Sequence, residues 1–593
     1  MERNQLIQLW AAEGFLHSNQ INNMCMEEVG NMYFTILLDS NLFQDAEKDE
    51  NGNVLNCKMH DLVHDMVQSI SSSKTLRLTE SGSDDKETFP IQYLALERSE
   101  KEMPFPPSER FKCITTFFLL EDRSLNDREI SFFMLRVLTL RSSSVKELPK
   151  SIGKVTHLRY LDLSRTSIKT KPDSLCRLYN LQTLRVGYCK SMTKFPHNFK
   201  NLVNLRHFEL QNCTKCKELP TVGHMPSLRS LHLEGLDRIT KHRAFFFPLK
   251  LFPKLGYFIV KGMLNLTEWT KAIIHDRTVV GFPILEMMKI DNSPQLATFP
   301  THFPSLKKLH IYRTKNGSAV MAYIYSQTIL ELSQPHTCID NNATQRLVGL
   351  ESLEKLAVCG CNSLKSISIP KGYKYLILPI EKLRVHECNN LISFPIDLTP
   401  TPSLSFLFIS PCPELTDLPK GKLCSLRSLR SLTIGPFSET TELHSFLNLF
   451  DALQPPHHYF PSLSSLSLDG WPHWESLPEQ LQHLSALTRL QLSGFGVKSL
   501  PDWFGKLSSL EHLWLRGCEK LENLPSHQSM RKLTKLIWLE ISDCPLLMRR
   551  YKPESSGNAP PTPILSGPRC AIFPKLQLMG GCRSSGRTPF DMT

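Results

Sequence analysis

Residues 59–66 read Met-His-Asp-Leu-Val-His-Asp-Met and bring four titratable side chains together at helical spacing. On a helix His60 and His64 share one face, and Asp61 and Asp65 share the next. The start of a helix carries partial positive charge, so it suits an anion, and an imidazole donor placed there adds to that attraction. A solvated helix start, with Asp61 favouring the positive dipole end, accounts for the same residues without a ligand.

Other constellations that could carry chemistry have simpler readings. Gly153-Lys154, Gly421-Lys422 and Gly505-Lys506 are not followed by Ser or Thr, so none forms a phosphate-cradling P-loop. Cys213-Thr214-Lys215-Cys216 is a lone C-x-x-C, whereas a structural zinc site needs a second ligand pair at a regular spacing. Neither an H-E-x-x-H helix nor a G-x-S-x-G elbow occurs. The sequence therefore predicts a protein that is not an enzyme, with no catalytic residue and no metal site.

The elements that position the His–Asp array form a small acidic domain over residues 1–75. Leu6, Ile7, Leu9, Trp10, Phe15 and Leu16 give a helical apolar face. A second helix is expected from Glu27 to Leu42, with Val29, Met32, Tyr33, Ile36 and Leu37 inward. Asn51-Gly52 is a preferred pair for a tight hairpin turn. A third helix over Met59–Ser71 is expected to bury Leu62, Val63, Met66 and Ile70. Helices, a β-wing and a further helix describe a winged-helix unit.

Beyond it the motif L-x-x-L-x-L recurs about sixteen times between Leu135 and Ile541, with starts mostly 23 to 27 residues apart. Each copy is one short strand that cannot bury its own apolar face. Stacked copies share a core, so the fold class is α/β, a parallel-strand leucine-rich-repeat horseshoe preceded by the winged-helix domain. Residues 76–134 read as a linker with irregular first repeats, and 135–552 as the solenoid. The stretch 312–350 is too long for one repeat and reads as an insertion. The Pro-, Gly- and Ser-rich residues 553–593 read as a disordered tail or an aberrant terminus. Pairs such as Leu148-Pro149, Leu477-Pro478 and Leu500-Pro501 fall at one phase, the return side of the coil, where no ladder donor is needed.

The chain has 593 residues and a net charge of +12. Residues 1–75 hold 11 acidic side chains against 4 Lys and Arg, a balance of −7 that leaves the remainder at +19. An acidic head on a basic solenoid predicts contact between the two and disfavours a nucleic-acid footprint, where cations crowd the reading element. Seven of the 17 cysteines occupy one repeat position: Cys189, Cys213, Cys361, Cys388, Cys412, Cys518 and Cys544. As small buried thiols in the turn they need a reducing compartment. No signal peptide and no apolar run long enough to span a bilayer is visible.

Met59-His60-Asp61 resembles the MHD motif of plant nucleotide-binding leucine-rich-repeat disease-resistance proteins. Leu6-Ile7-Gln8-Leu9-Trp10-Ala11-Ala12-Glu13-Gly14-Phe15-Leu16 resembles the opening of the winged-helix part of their nucleotide-binding module, and Tyr33-Phe34 through Phe43-Gln44 resembles the segment between the two. The resemblance covers roughly residues 1–550 and is closest to the coiled-coil class, truncated at its N-terminal side. It implies ADP or ATP as cofactor, His60 as a contact to the β-phosphate of ADP and Asp61 as the residue supporting the resting state. These roles require the nucleotide-binding core to be supplied. It implies a cytoplasmic immune receptor, with plasma-membrane association or nuclear entry after activation. Its partners would be a pathogen effector or host guardee protein and its own nucleotide-binding module. A truncated, binding-only adaptor or decoy lacking the switch is the alternative, and a winged-helix DNA-binding protein a third.

Two surfaces follow from the repeat. Arg136, Arg159, Arg206 and Arg229 occupy the first x position, interrupted by Gln182, and should align into a basic stripe. Facing an acidic head, that stripe predicts an intramolecular clamp. Near the other end Trp514 and Trp538 occupy x positions, with His512 beside Trp514 and Trp471 and Phe495 just past their strands. Exposed aromatic residues there predict a partner interface.

Overall fold

The computed structural model describes residues 1–17, 24–48, 54–78, 90–96, 109–119, 134–141, 145–169, 173–220, 222, 225–242, 252–269, 282–296, 303–314, 352–362, 364, 379–393, 401–416, 426–439, 460–551 and 576–579. It divides into two compact units, Met1–Leu285 with Ser585–Thr593, and Glu286–Ser584.

The first unit opens with α1 (Arg3–Glu13) and α2 (Met26–Asp39). An antiparallel hairpin of β1 (Phe43–Lys48) and β2 (Val54–Met59) follows, and then α3 (Asp61–Ser71). Gly14 ends α1 in the left-handed region at φ 89°, where glycine carries no steric cost. Ile7, Leu16, Val29, Phe34, Phe43 and Cys57 fill the domain core. Gly30 lets α1 and α2 approach, because a Cβ there would lie 2.5 Å from Ile7 Cγ2.

Two of the expected buried faces differ. In α2 the inward residues are Val29 and Phe34, while Met32, Tyr33 and Ile36 are exposed. In α3 no residue is buried, and Leu62, Met66 and Ile70, expected inward, are exposed at 74%, 55% and 72%. The reason is topological. The core is already closed by α1, α2 and the hairpin, and α3 departs from the end of β2 on its outside.

The solenoid strands of this unit are β3 (Thr75–Leu78), β4 (Tyr93–Leu96), β5 (Thr116–Leu119), β6 (Val137–Thr139), β7 (Tyr160–Asp162), β8 (Thr183–Gly187), β9 (His207–Gln211) and β10 (Ser230–Glu234). A two-residue strand, β11 (Lys241–His242), precedes β12 (Tyr257–Lys261) and pairs with β13 (Glu268–Trp269). Each strand from β3 to β10 pairs in parallel with the next, and β10 pairs with β12.

The second unit continues the pattern with β14 (Met287–Asp291), β15 (Lys308–Tyr312), β16 (Lys355–Cys359), β17 (Lys382–His386), β18 (Phe406–Ile409), β19 (Ser431–Ile434), β20 (Ser465–Asp469), β21 (Arg489–Ser493), β22 (His512–Arg516), β23 (Trp538–Ser542) and β24 (Leu576–Met579). All pair in parallel with their neighbours within the unit. β24 lies within residues 553–593, the segment read from sequence as a disordered tail or an aberrant terminus. The rest of that segment, and the 315–350 part of the expected insertion, lie outside the described residues.

Leucines at alternate strand positions are buried, as Leu231 and Leu233 are, with half-buried residues between them. Short 3-10 turns form the return side, and Pro149, Pro478 and Pro501 stand immediately before three of them. The seven repeat cysteines are buried free thiols. Several donate to a carbonyl of the preceding coil, as Cys189 does to Leu163 at 3.0 Å and Cys388 to Val358 at 3.6 Å.

Candidate functional site

The strongest polar constellation in the first unit lies where the winged-helix domain meets the repeats. The backbone ladder sets the arginine column, since Arg159 N donates to Arg136 O, Arg206 N to Gln182 O and Arg229 N to Arg206 O. That register stacks the first variable position of successive coils about 4.8 Å apart. Arg206 donates through Nε and Nη2 to the two carboxylate oxygens of Glu27, at 2.8 and 2.6 Å. His207 Nε2 lies 3.1 Å from the same carboxylate, and Arg229 Nε 3.8 Å. Glu27 thus faces three cationic or potentially cationic groups. Burial alone would raise its carboxyl pKa, but the hydrogen bonds from His207 and Arg206 outweigh burial and hold it well below the usual carboxylate range.

Arg136 and Arg159 act differently. Arg136 Nη1 donates to the carbonyl of Glu13 at 2.5 Å, and Arg159 Nη1 to that of Ala12 at 3.5 Å. Both carbonyls belong to the last turn of α1, where acceptors lack helical partners and the dipole favours a cation. A Cβ on Gly14 would meet Arg159 Nη1 at 3.4 Å and Arg136 Nη1 at 3.7 Å, ordinary contact distances, so it is the left-handed φ and not space that calls for glycine beside the two guanidinium groups. Beneath them Ala12, Val137 and Tyr160 pack as a small apolar cluster with Leu9 and Phe118.

All four predicted arginines therefore meet the head domain. Sequence reasoning missed their acidic partner Glu27 as well as His207, Arg185 and Tyr160. Arg185 bridges Glu2 and Glu209, each at 3.1 Å, and Gln5 donates to the Tyr160 hydroxyl at 3.2 Å. A local signal for Glu27 did exist. Glu28 is already used as the capping-box acid, accepting from Cys25 N at 2.6 Å, so Glu27 is a second first-turn carboxylate beyond the one the cap needs.

His60 stands at the N-cap of α3, and its Nδ1 accepts from Leu62 N at 3.2 Å. That bond assigns the ring proton to Nε2, a donor aimed away from the helix end. Asp61 is the first helical residue and is exposed. His64 and Asp65 form an exposed 3.4 Å contact. A donor of this kind fits one oxygen of a phosphate but is not a nucleotide cradle by itself.

The aromatic residues expected at a partner interface in the second unit differ in exposure. Phe495 is fully buried against Trp474, ring centroids 6.2 Å apart, and is a core residue. Its strand has ended, so the alternation rule no longer applies, and the ring turns under Gly470. Trp514 is 7% exposed and stacks on His512 at 5.5 Å, so it offers one edge at most. Trp538 and Trp471 are half-buried. Trp471 Nε1 donates to Phe437 O at 3.0 Å, whereas Trp538 Nε1 is buried without a hydrogen-bond partner. Arg516 and Glu540 pair at 2.8 Å beside them.

Among the described residues no group of three or more His, Cys, Asp or Glu could hold a metal ion. No described helix is long and apolar enough to cross a membrane.

A winged-helix domain docked through arginines onto the first coils of a leucine-rich solenoid is the class of protein this fold defines. Comparison with known proteins agrees with that architecture. Residues 1–67 match the model of the disease resistance protein winged helix domain, 95–315 that of a leucine-rich repeat region, and 475–544 that of R13L1/DRL21 LRRs. The chain is 22% identical over 406 residues to the ToMV resistant protein Tm-2 netted virescent of Solanum lycopersicum, covering 65% of this chain and 46% of that protein. It is 25% identical over 400 residues to the disease resistance protein RPP4 of Arabidopsis thaliana, covering 66% and 31%. A solved leucine-rich-repeat protein of Leptospira interrogans overlaps 74% of this chain and 86% of its own, at 18% identity and a TM-score of 0.41. By its winged-helix and leucine-rich-repeat matches and by these relatives the chain is similar to plant disease resistance proteins. It spans about half the length, or less, of these relatives.

Proposed function

We propose that this chain is the regulatory and sensing part of an intracellular immune receptor in which the repeats hold the winged-helix domain in a resting position. The observation that carries the reading is Glu27 of α2 clasped by Arg206, His207 and Arg229, with the end of α1 capped by Arg136 and Arg159. Two independent anchors on one small domain fix its orientation as well as its position. Partner binding elsewhere on the repeats releases the clamp only if the released state binds the partner better. The recognised partner is a pathogen effector or a host protein that it modifies. No catalytic step is assigned to the chain.

The exposed apolar face of α3, Leu62, Met66, Val67 and Ile70, supports a second contact, with the nucleotide-binding core of the receptor. His60 at the start of that helix would then donate through Nε2 to a phosphate of bound ADP, and Asp61 would support the helix start. ADP or ATP is bound by the assembled module rather than by residues 1–75 alone.

The test places Glu27→Lys in the complete receptor expressed in leaf tissue and scores the defence response without a pathogen. The proposal expects a response from this variant, and its suppression by the compensating pair Glu27→Arg with Arg206→Glu. A silent Glu27→Lys receptor that still captures its partner would overturn the clamp and leave the binding-only adaptor reading.

A further inference from the structure

We propose that the concave face of β15 to β17 is a docking surface for an acidic, extended segment of a partner protein. This rests on the repeats being a recognition surface and specifies the chemistry recognised. The parallel register places Met287, Lys308, Lys355, Lys382 and Phe406 in one column across five strands. Three consecutive lysines therefore rise from neighbouring strands about 4.8 Å apart. Like charges directly opposite destabilise a sheet unless something neutralises them. Among the described residues neither Lys308 nor Lys355 has an ion-pair partner. Lys382 lies over the Phe406 ring at 5.7 Å, and Lys289 over the Tyr312 ring at 5.1 Å, so the flanks are also cationic. Among the described residues Lys308 and Lys355 thus lack an ion pair of the kind that Arg206 and Arg229 of the first unit make with Glu27.

The neighbouring columns add shape. His310, Ala357 and Arg384 are in register, as are Tyr312, Cys359 and His386. The two small residues of β16 lie between longer ones on both sides and make an apolar floor. Its walls are about 9–10 Å apart, twice the strand spacing. An aliphatic side chain fits there, while carboxylates on either side reach the lysines. Alternate residues of an extended chain recur about every 6.6 Å, within the reach of flexible lysine side chains.

A protein segment suits this face better than nucleic acid does. Glu354 and Glu381 immediately precede Lys355 and Lys382, and Glu286 pairs with Lys307 at 3.2 Å along the same margin. These carboxylates repel a continuous polyanion but tolerate discrete acidic side chains. The apolar floor offers nothing to a phosphate backbone.

The experiment titrates the full 593-residue chain into a fluorescein-labelled decapeptide of alternating Glu and Leu and reads anisotropy. The matching Lys–Leu decapeptide and a ten-residue oligothymidylate serve as competing chemistries. The expected result is saturable binding of the Glu–Leu peptide only, weakening as salt rises. The double variant Lys308→Glu, Lys355→Glu should bind it at least roughly tenfold more weakly, while Lys498→Glu, Lys535→Glu on exposed returns should match the parent. Thermal melting checks that both variants fold. Equal binding by the Lys308/Lys355 variant, no binding of the Glu–Leu peptide, or tighter binding of the oligonucleotide would each overturn the proposal. The readout needs no signalling, so this surface can fail while Glu27→Lys still activates the receptor, and it can stand if Glu27→Lys is silent.

Discussion

Arg136, Arg159, Arg206 and Arg229 of the first unit all reach oxygens of the head domain, whereas Lys308 and Lys355 of the second find no such partner among the described residues. Both sets are cations stacked by the same parallel register on the concave side of a repeat. The difference lies in side-chain type and in what was built opposite. Arginine's planar fork binds the Glu27 carboxylate bidentately and also caps two helix carbonyls, which suits a contact meant to be held. Lysine is a flexible, hydrated point charge that gives less geometric definition and adapts to a partner that arrives from outside. Ordering of the head thus uses the residue suited to fixed geometry, and the open face uses the one suited to exchange.

The largest expected effect tests whether aromatic residues of the second unit work beneath the concave face rather than on it. Phe495→Ala removes a fully buried ring from the contact with Trp474 and should cost about 3–5 kcal/mol, read as a lower melting temperature of the C-terminal repeats. Trp538→Ala, truncating a half-buried ring, should cost clearly less. Equal costs would return Phe495 to the surface, where the sequence placed it.

Glu27→Ala comes next, because it leaves Arg206 partly buried beside His207 with no anion. Losing one partner of such a group costs about 2–5 kcal/mol of head–repeat association. Amide hydrogen exchange should rise across α1 and α2 while the strands of the second unit stay protected. Its pH dependence has a definite sign. The Glu27 pKa is depressed in the folded chain, so its contribution is fully present above the ordinary value of 4.5 and is lost as pH falls through the lower folded value. Protection of the α2 amides relative to their intrinsic exchange rates should therefore change little between pH 8 and 5 and fall only in stronger acid, and Glu27→Gln should remove that dependence.

How much of this was legible in the chain follows from the range of the interactions involved. Strands, concave positions, the cysteine ladder and the arginine column depend on a repeat of about 24 residues, and each copy restates them. The partner of the column could not be located that way. Glu27 and Arg206 are 179 residues apart, and net charge gave the sign of the head but not the residue. α3 was misread because helical periodicity reports an apolar face, not what covers it. Leu62, Met66 and Ile70 have the pattern of a core helix without a core beside them. Phe495 was misread because alternation stops at the end of a strand, and only the turn that follows decides where the ring goes.

A smaller effect distinguishes a buried carboxylate with no ion pair from Glu27. Burial raises the pKa of Asp469 to about 6, and hydrogen bonds with Ser493 and Ser410 and the charge of Arg516 only partly offset it. The sign is opposite to that of Glu27. Stability is fully present below the ordinary 3.8 and is lost as pH rises through about 6. Asp469→Asn keeps a polar group for the two serines and removes the buried charge. At pH 8 it should stabilise the second unit by about 1–2 kcal/mol, and near pH 4 the advantage should vanish. A variant less stable than the parent at pH 8 would mean that the Arg516 attraction outweighs burial.

The smallest effect separates the two anchors of the clamp. Arg159 makes one long bond, 3.5 Å, to a carbonyl at the end of α1, while burial and the neighbouring Arg136 both lower its pKa and Glu13 opposes them. A cation at a helix C-terminus is worth about 0.3–1 kcal/mol, so Arg159→Ala should loosen α1 by no more than that. Arg159→Lys should recover most of it, because a dipole end needs a charge and not a fork. Arg206→Lys should recover far less at Glu27, where two parallel bonds are lost to one. If both lysine variants recover equally, the arginines act only as charges, and the contrast between the ordered and the open column reduces to which of them has an acid nearby.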